Sequence, residues 1–170
     1  MDSWHVFFNT EEELIRAKEH QLERVITIFP WIATIDKFQH WIYENPKHSP
    51  EERSDKWVEI LNEFTSPVLD LTGLEEYRRY FWQKQLHLFE VPFYYIEYGI
   101  AQLGAIGLWK QFKTNKDQAL NNYTTALAQG GTKTLPDLFH TAGLRFDFSP
   151  PVVGDLMSFV QKELDKVIAA

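Results

Sequence analysis

Apolar residues recur every three to four positions along most of this chain, a spacing that lines one face of a helix and is incompatible with an alternating strand. The longest run follows Thr10 and Glu13, whose types and spacing fit a capping box at a helix start. This run continues past Pro30 with at most a kink, which predicts one long helix or two in line. Its apolar members are Leu14, Leu22, Val25, Ile26, Phe29, Ile32, Ile35, Phe38 and Ile42.

Capping and breaking residues divide the remaining chain into further helices. Ser49, Pro50 and Glu52 fit the N-cap, first and third positions of a second helix. Pro92 disfavours helix in the residue before it, so residues 87–92 are predicted to form a loop. No alternating strand pattern persists for more than a few residues, and the sequence therefore predicts an all-α, compact multi-helix domain over residues 1–170. The later helices are predicted over 74–86, 93–112, 115–129, 134–142 and 151–168.

Composition excludes several classes of protein. Of the 170 residues, 44% are apolar and 15% aromatic, which suits a chain with a sizeable core and not a disordered one. Cysteine is absent, so disulfides, thiolate nucleophiles and cysteine-containing zinc sites are excluded. The 24 acidic residues outnumber the 17 basic ones, and the net charge of -7 argues against nucleic acid and anionic membrane surfaces as partners.

The most apolar stretch, residues 91–109, is long enough to resemble a membrane span. It carries Glu97, Gln102 and three tyrosines, and we therefore interpret it as a buried core helix. The N-terminal residues lack the basic and apolar regions of a signal peptide. These observations favour a cytoplasmic protein.

The histidines do not form a metal-binding pattern. No two of them lie four residues apart, and a His-Glu-x-x-His motif is absent, so no metal site is predicted in this chain. The acidic clusters fall in first helical turns, where the helix dipole stabilises them. The six histidines are His5, His20, His40, His48, His87 and His140.

Residues 87–102, HLFEVPFYYIEYGIAQ, form the one segment with a pattern typical of a functional site. His87 precedes a predicted helix whose first turns carry Tyr94, Tyr95 and Tyr98, and the last two share a face. Phenol and imidazole donors in this position would stabilise an oxyanion. The alternative is an aromatic core whose hydroxyls bond to backbone carbonyls. The pattern alone leaves both interpretations open.

Three long stretches resemble a known family. FPWIATIDKFQHWIYENPKHSPEER, WQKQLHLFEVPFYYIEYGIAQLGAIGLWKQF and LAQGGTKTLPDLFHTAGLRFDFS are similar to the C-terminal part of oligoendopeptidase F, in the thimet oligopeptidase family of zinc metallopeptidases. The resemblance covers nearly the whole chain. In that family a His-Glu-x-x-His helix and a glutamate on a following helix hold the zinc, and both precede the region that this chain resembles. Zinc is therefore implied for the full-length family, and no cofactor is expected in this chain.

The resemblance also implies roles for the residues of the 87–102 segment. Tyr98 would donate to the oxyanion of the tetrahedral intermediate, while His87 and Tyr95 would hold the peptide backbone. A shift of one residue in register keeps Tyr94 as a further substrate-binding candidate.

Two functional hypotheses follow, and they leave open whether the chain is an enzyme. In the first, it is the substrate-binding portion of a zinc oligopeptidase that hydrolyses short peptides, inactive without a partner that carries the metal ligands. In the second, it is a noncatalytic helical peptide-binding or relic module.

Partners are predicted from the apolar surface that such a portion would leave uncovered. Residues 4–8 (WHVFF) and the small-residue face of the helix between Gly99 and Gly107 are the expected contributors. Besides short peptides, we expect a chain that supplies the missing metal-binding half, or otherwise a homodimer.

Overall fold

The computed structural model describes residues 1 and 3–169, and α-helices dominate these residues. No strand occurs among them, so the all-α prediction is confirmed. Most predicted helices agree with the structure to within a few residues. The eight α-helices of the described residues are α1 (Glu11–Glu44), α2 (Pro50–Glu63), α3 (Glu75–Tyr80), α4 (His87–Glu90), α5 (Ile96–Thr114), α6 (Lys116–Ala128), α7 (Leu135–Thr141) and α8 (Pro150–Ile168).

Helix α1 is a single helix of 34 residues that begins with the predicted capping box. The backbone N–H of Glu13 donates to the Thr10 hydroxyl at 3.2 Å, and the N–H of Thr10 donates to the Glu13 carboxylate at 3.2 Å. Pro30 lies inside the helix, where it removes one backbone donor. The Thr34 hydroxyl donates to the Pro30 carbonyl at 2.8 Å one turn later.

Helix α2 begins with a second capping box, also as predicted. The N–H of Glu52 donates to Ser49 Oγ at 3.1 Å, and the N–H of Ser49 donates to Glu52 Oε2 at 2.7 Å. These bonds to the backbone and side chain of Ser49 lower the pKa of Glu52 below its ordinary value. Pro50 occupies the first helical turn, where its missing N–H costs nothing.

The described backbone divides into two compact units. The central unit comprises Thr27–Gly99, and the terminal unit comprises Met1–Ile26 with Ile100–Ala170. The boundaries fall within α1 and α5. The prediction of one domain over 1–170 stays a prediction.

The central unit is built around an aromatic core. Trp57 is fully buried and donates its indole N–H to the Arg78 carbonyl at 2.9 Å. Trp31 and Phe38 meet the Trp57 ring edge-on, with centroids 5.8 and 5.1 Å away. The core consists of Ile35, Phe38, Trp57, Ile60 and Trp82, and Leu88 and Tyr95 are among the half-buried residues that pack against it.

The terminal unit uses glycines of α5 for close packing. A Cβ on Gly104 would come within 2.9 Å of the Phe139 ring, and one on Gly107 within 2.8 Å of Leu144. These two glycines therefore accommodate side chains of the same unit. Only part of the small-residue face predicted for a partner is free, since Ala101 and Ala105 remain exposed.

Two predictions around Pro92 are wrong. Residues 87–90 form α4 and not a loop, because Pro92 restricts Val91 and leaves the preceding turn free to close. The N–H of Glu90 donates to the Leu86 carbonyl at 3.0 Å. Helix α5 begins at Ile96 and not at residue 93, because Phe93 has a φ of +59°. Tyr94 and Tyr95 therefore lie in the turn before the helix.

No helix among the described residues combines the length and apolarity needed to cross a membrane. The apolar stretch interpreted as a buried core helix is buried on one side in α5, at Gly104, Ile106 and Gly107. The segment before α5 is more exposed than the sequence predicts, and Tyr94 is 43% exposed.

We predict that Ser49→Ala lowers the free energy of unfolding by ~1 kcal/mol, because the substitution removes the hydroxyl that caps α2. Urea denaturation followed by tryptophan fluorescence measures the change. Ser66→Ala is the matched control, since Ser66 is exposed and its hydroxyl makes no hydrogen bond within the described residues. Equal effects of the two substitutions would contradict the capping role.

Candidate functional site

His87, Tyr94, Tyr95 and Tyr98 form one cluster in the central unit. The Tyr95 and Tyr98 rings meet the His87 ring edge-on, with centroids 4.9 and 5.7 Å away. The Tyr94 ring stacks on the His87 ring with centroids 6.0 Å apart, and it meets the Tyr98 ring edge-on with centroids 5.6 Å apart. The structure therefore brings together all four residues that the sequence singles out.

Local structure explains why these side chains converge. His87 is the first residue of α4, and Tyr98 lies in the first turn of α5. Between them the chain reverses at Pro92 and Phe93, and the N–H of Tyr94 donates to the Val91 carbonyl at 3.2 Å. The N–H of Tyr98 then donates to the Tyr95 carbonyl at 3.3 Å, which sets the two tyrosines one helical turn apart.

A chain of hydrogen bonds runs through the imidazole. Gln85 Nε2 lies 2.6 Å from His87 Nδ1, and His87 Nε2 lies 3.2 Å from the Tyr98 hydroxyl oxygen. The side-chain amide nitrogen of glutamine only donates, so with the amide in this orientation we assign His87 Nδ1 as the acceptor. Nε2 therefore carries the proton of the neutral ring and donates to Tyr98.

This tautomer determines what the Tyr98 hydroxyl can do. Because the oxygen accepts from His87, the phenolic proton points away from the imidazole, and the Tyr94 side chain is a hydrogen-bond neighbour of the same hydroxyl. The alternative from the sequence, a hydroxyl bonded to a backbone carbonyl in the core, is not what the structure shows: Tyr98 is 44% exposed. The geometry thus presents a phenol donor to solvent.

The surroundings also keep Tyr98 protonated. Reduced hydration raises the pKa of Tyr98 above its ordinary value, and the electrostatic effect and side-chain hydrogen bond of Tyr94, followed by the electrostatic effect of Tyr95, add to the rise. An unperturbed phenol already titrates near pH ~10. Tyr98 is therefore a neutral hydrogen-bond donor at neutral pH.

The three tyrosines differ in exposure. Tyr95 is half-buried and packs against the aromatic core, whereas Tyr94 and Tyr98 are 43% and 44% exposed. The core contact restrains the Tyr95 ring and leaves its neighbours on the open side of the cluster. Tyr94 is thus more accessible than Tyr95, and the choice between them as the substrate-binding residue stays a prediction.

Gln85 is a residue of this site that sequence reasoning missed. It lies in the short connection between a 3-10 helix (Phe81–Lys84) and α4, two residues before His87. No periodicity or motif distinguishes it from an ordinary surface glutamine. Its proximity to His87 in sequence is the one signal that could have suggested a contact.

The described residues do not fit a zinc ion. No group of three or more histidine, aspartate or glutamate side chains converges among them as a ligand set. His87, the histidine of the candidate site, instead has both ring nitrogens in contact with Gln85 and Tyr98.

A separate cavity of about 430 Å³ lies in the terminal unit. Its lining includes Phe139, Phe148, Arg145 and the Lys110–Asp155 ion pair, whose charged atoms are 2.6 Å apart. None of the four predicted site residues lines this cavity.

We predict that Gln85→Glu reverses the His87 tautomer. A carboxylate accepts from Nδ1–H, so Nε2 would lose its proton and accept from the Tyr98 hydroxyl instead. The ¹⁵N chemical shifts of the two ring nitrogens should exchange character in a long-range ¹H–¹⁵N spectrum recorded at alkaline pH, where the ring is neutral. Gln83→Glu, on the neighbouring exposed position, is the control. Unchanged ring shifts in Gln85→Glu would refute the assigned hydrogen-bond chain.

Comparison with solved structures gives two relatives that share this fold. PZ peptidase A, solved with an inhibitor, is 33% identical with a TM-score of 0.80, over 87% of this chain and 26% of that one. A putative oligoendopeptidase F is 30% identical with a TM-score of 0.83, over 91% of this chain and 27% of that one. The chain thus spans about a quarter of the length of each solved relative. No curated protein sequence matches.

The family model described as "Peptidase family M3" matches residues 2–157. The match covers most of the 170 residues, and both solved relatives are named as peptidases. The resemblance predicted from the sequence, to a C-terminal part of an oligoendopeptidase F-like protein, is confirmed. The chain belongs to peptidase family M3.

Proposed function

We propose that this chain is the substrate-binding portion of an oligoendopeptidase F-like metallopeptidase that hydrolyses short peptides. The observation that carries the proposal is the Gln85–His87–Tyr98 hydrogen-bond chain, which turns the phenolic proton of the exposed Tyr98 away from the imidazole. Membership of peptidase family M3 supports the reaction class. We also propose a cytoplasmic location, which the family membership supports.

The proposed chemistry assigns one task to each residue of the cluster. Tyr98 donates to the peptide carbonyl as negative charge develops on its oxygen, and a donor aimed at that oxygen stabilises the transition state more than the ground state. His87 holds the Tyr98 oxygen in position through Nε2–H. Tyr94 and Tyr95 bind the peptide, with Tyr94 on the exposed side and Tyr95 braced by the core.

Hydrolysis requires more than this cluster supplies. The described residues offer no zinc ligand set, and no residue of the cluster has the role of a base that activates water. In the proposal these parts belong to a polypeptide that carries a His-Glu-x-x-His helix. In the alternative, a noncatalytic peptide-binding or relic module, the same cluster binds a peptide and no reaction follows.

We predict that the purified chain binds short peptides and does not hydrolyse them, with or without added Zn²⁺. Calorimetry should show weaker binding for His87→Ala than for the wild type, and an internally quenched peptide should report no cleavage. Tyr77→Phe is the control, because Tyr77 is 75% exposed on α3 and outside the cluster. Chelator-sensitive cleavage together with one tightly held zinc per chain would overturn the proposal.

Complementation separates the two hypotheses. Mixed with a polypeptide that carries the metal-binding half of a family M3 peptidase, the wild-type chain should support cleavage, and Tyr98→Phe should lower turnover ~100- to 1000-fold. Peptide binding with no gain of activity in any such mixture would favour the noncatalytic module.

The exposed N-terminal segment supports an association partner. Val6 and Phe7 are 65% and 76% exposed, although both are apolar. Trp4 and Phe8 remain half-buried, with ring centroids 6.4 Å apart. We propose that a second polypeptide covers this segment, either the metal-binding half or a second copy of the chain.

We predict that light scattering over a concentration series detects a homodimer of the isolated chain, and that Phe7→Asp shifts it towards monomer. The reason is that dimer formation would bury the new carboxylate without a charged partner, which destabilises the dimer relative to the monomer. Val68→Asp is the control, since Val68 is 87% exposed in the central unit. A dispersed monomer at high concentration would contradict the homodimer.

A further inference from the structure

Phe93 adopts a backbone conformation that favours glycine. Its φ is +59°, and no other non-glycine residue of the described chain has a positive φ. Phe93 follows Pro92 in a turn closed by the bond from the Tyr94 N–H to the Val91 carbonyl. Type II turns have this arrangement, with proline second and a positive φ, usually at glycine, third. The next two residues are Tyr94 and Tyr95 of the candidate site.

A bulky residue persists in such a conformation only where its surroundings determine it. The Phe93 ring contacts two side chains of α1, with centroids 4.9 Å from His40 and 5.0 Å from Tyr43. These contacts restrain the Phe93 side chain, but they do not by themselves determine the backbone conformation of the turn, which needs a further interaction. That interaction comes from the residue before His40.

Gln39 reaches the backbone of the turn. Its side chain is 1% exposed, and its Oε1 accepts from the Phe93 N–H at 2.9 Å across 54 residues of sequence. Its Nε2 is buried without a hydrogen-bond partner among the described residues. A buried amide with an unsatisfied donor is destabilising, so packing alone does not account for a glutamine here.

We propose that Gln39 is a positioning residue for the candidate site: by accepting from the Phe93 N–H, it holds the turn that places Tyr94 and Tyr95 beside His87. Gln39 acts through the backbone N–H of Phe93, and no hydrogen bond among the described residues joins its side chain to the rings of the cluster. The consequence for peptide binding rests on the proposed function, whereas the effect on the turn does not.

The substitution Gln39→Met tests this proposal, because methionine has nearly the same length and lacks the acceptor. NMR of the full chain reports the turn directly, since a positive φ brings the Phe93 N–H close to its own Hα and gives a strong intraresidue NOE. We expect Gln39→Met to lose this NOE together with the NOEs between the His87 and Tyr94 rings. Retention of both sets would overturn the proposal.

A second variant distinguishes positioning from a general structural role. Glycine adopts a positive φ readily, so Gln39→Met combined with Phe93→Gly should regain the NOEs between His87 and Tyr94. If Gln39→Met alone fails to fold, the double variant should still fold, for the same reason. A double variant that stays unfolded, or folds without these NOEs, would contradict the proposal.

Thr34→Val is the matched control. Thr34 is also a buried polar residue of α1, 1% exposed, and its hydroxyl donates within the helix to Pro30. It should leave the Phe93 and His87 NOEs unchanged, and their loss in this variant would point to α1 as a whole and overturn a specific role for Gln39.

Calorimetric titration of the wild type and Gln39→Met with a short peptide separates this inference from the proposed function. A wild type that binds no peptide would refute the function and leave the NMR result to decide on Gln39. A wild type that binds, with Gln39→Met binding equally well despite a displaced turn, would refute the link from the turn to the site.

Discussion

The candidate site depends on the aromatic core around Trp57, because both sides of the His87 cluster are attached to it. Leu88 follows His87 on α4, and Tyr95 precedes α5, and both pack against the core residues. Trp57 itself is fixed by edge-on contacts to Trp31 and Phe38 and by its indole hydrogen bond. A buried aromatic with a satisfied polar atom gives a rigid support, since neither its ring nor its hydrogen bond can move independently. The exposed phenol of Tyr98 thus lies at the surface but is supported by a rigid aromatic core.

The capping boxes were predictable because they are local. Thr10 with Glu13, and Ser49 with Glu52, satisfy backbone donors within three residues, so the sequence specifies both partners of each bond. The convergence of His87, Tyr95 and Tyr98 was predictable in part for a similar reason, since all three lie in a segment of twelve residues, 87–98, that turns at Pro92.

Long-range contacts were not predictable in this way. The helical spacing puts Gln39 on the apolar face of α1, but its bond to the Phe93 N–H spans 54 residues, and no local pattern specifies so distant a partner. The start of α5 is also not predictable from local sequence, because it depends on the positive φ of Phe93. A positive φ at a phenylalanine follows from tertiary contacts and not from local propensity. Gln85 was missed although it is close in sequence, because its role depends on which ring nitrogen of His87 it meets.

The two glutamines show why an amide suits both positions. Gln85 presents its donor to His87, and a carboxylate there would draw the imidazole proton to Nδ1 and use up the Tyr98 proton. Gln39 presents its acceptor to a backbone N–H while almost fully buried, where an ionised carboxylate would carry a large desolvation penalty. Glutamate, the nearest relative in shape, would therefore lack the donor needed at position 85, and at position 39 it would keep the acceptor but bury a charge. The neutral amide of Gln85 therefore keeps the imidazole proton on Nε2, so that the phenolic proton of Tyr98 is the one that the cluster would offer to a substrate carbonyl in the proposed function.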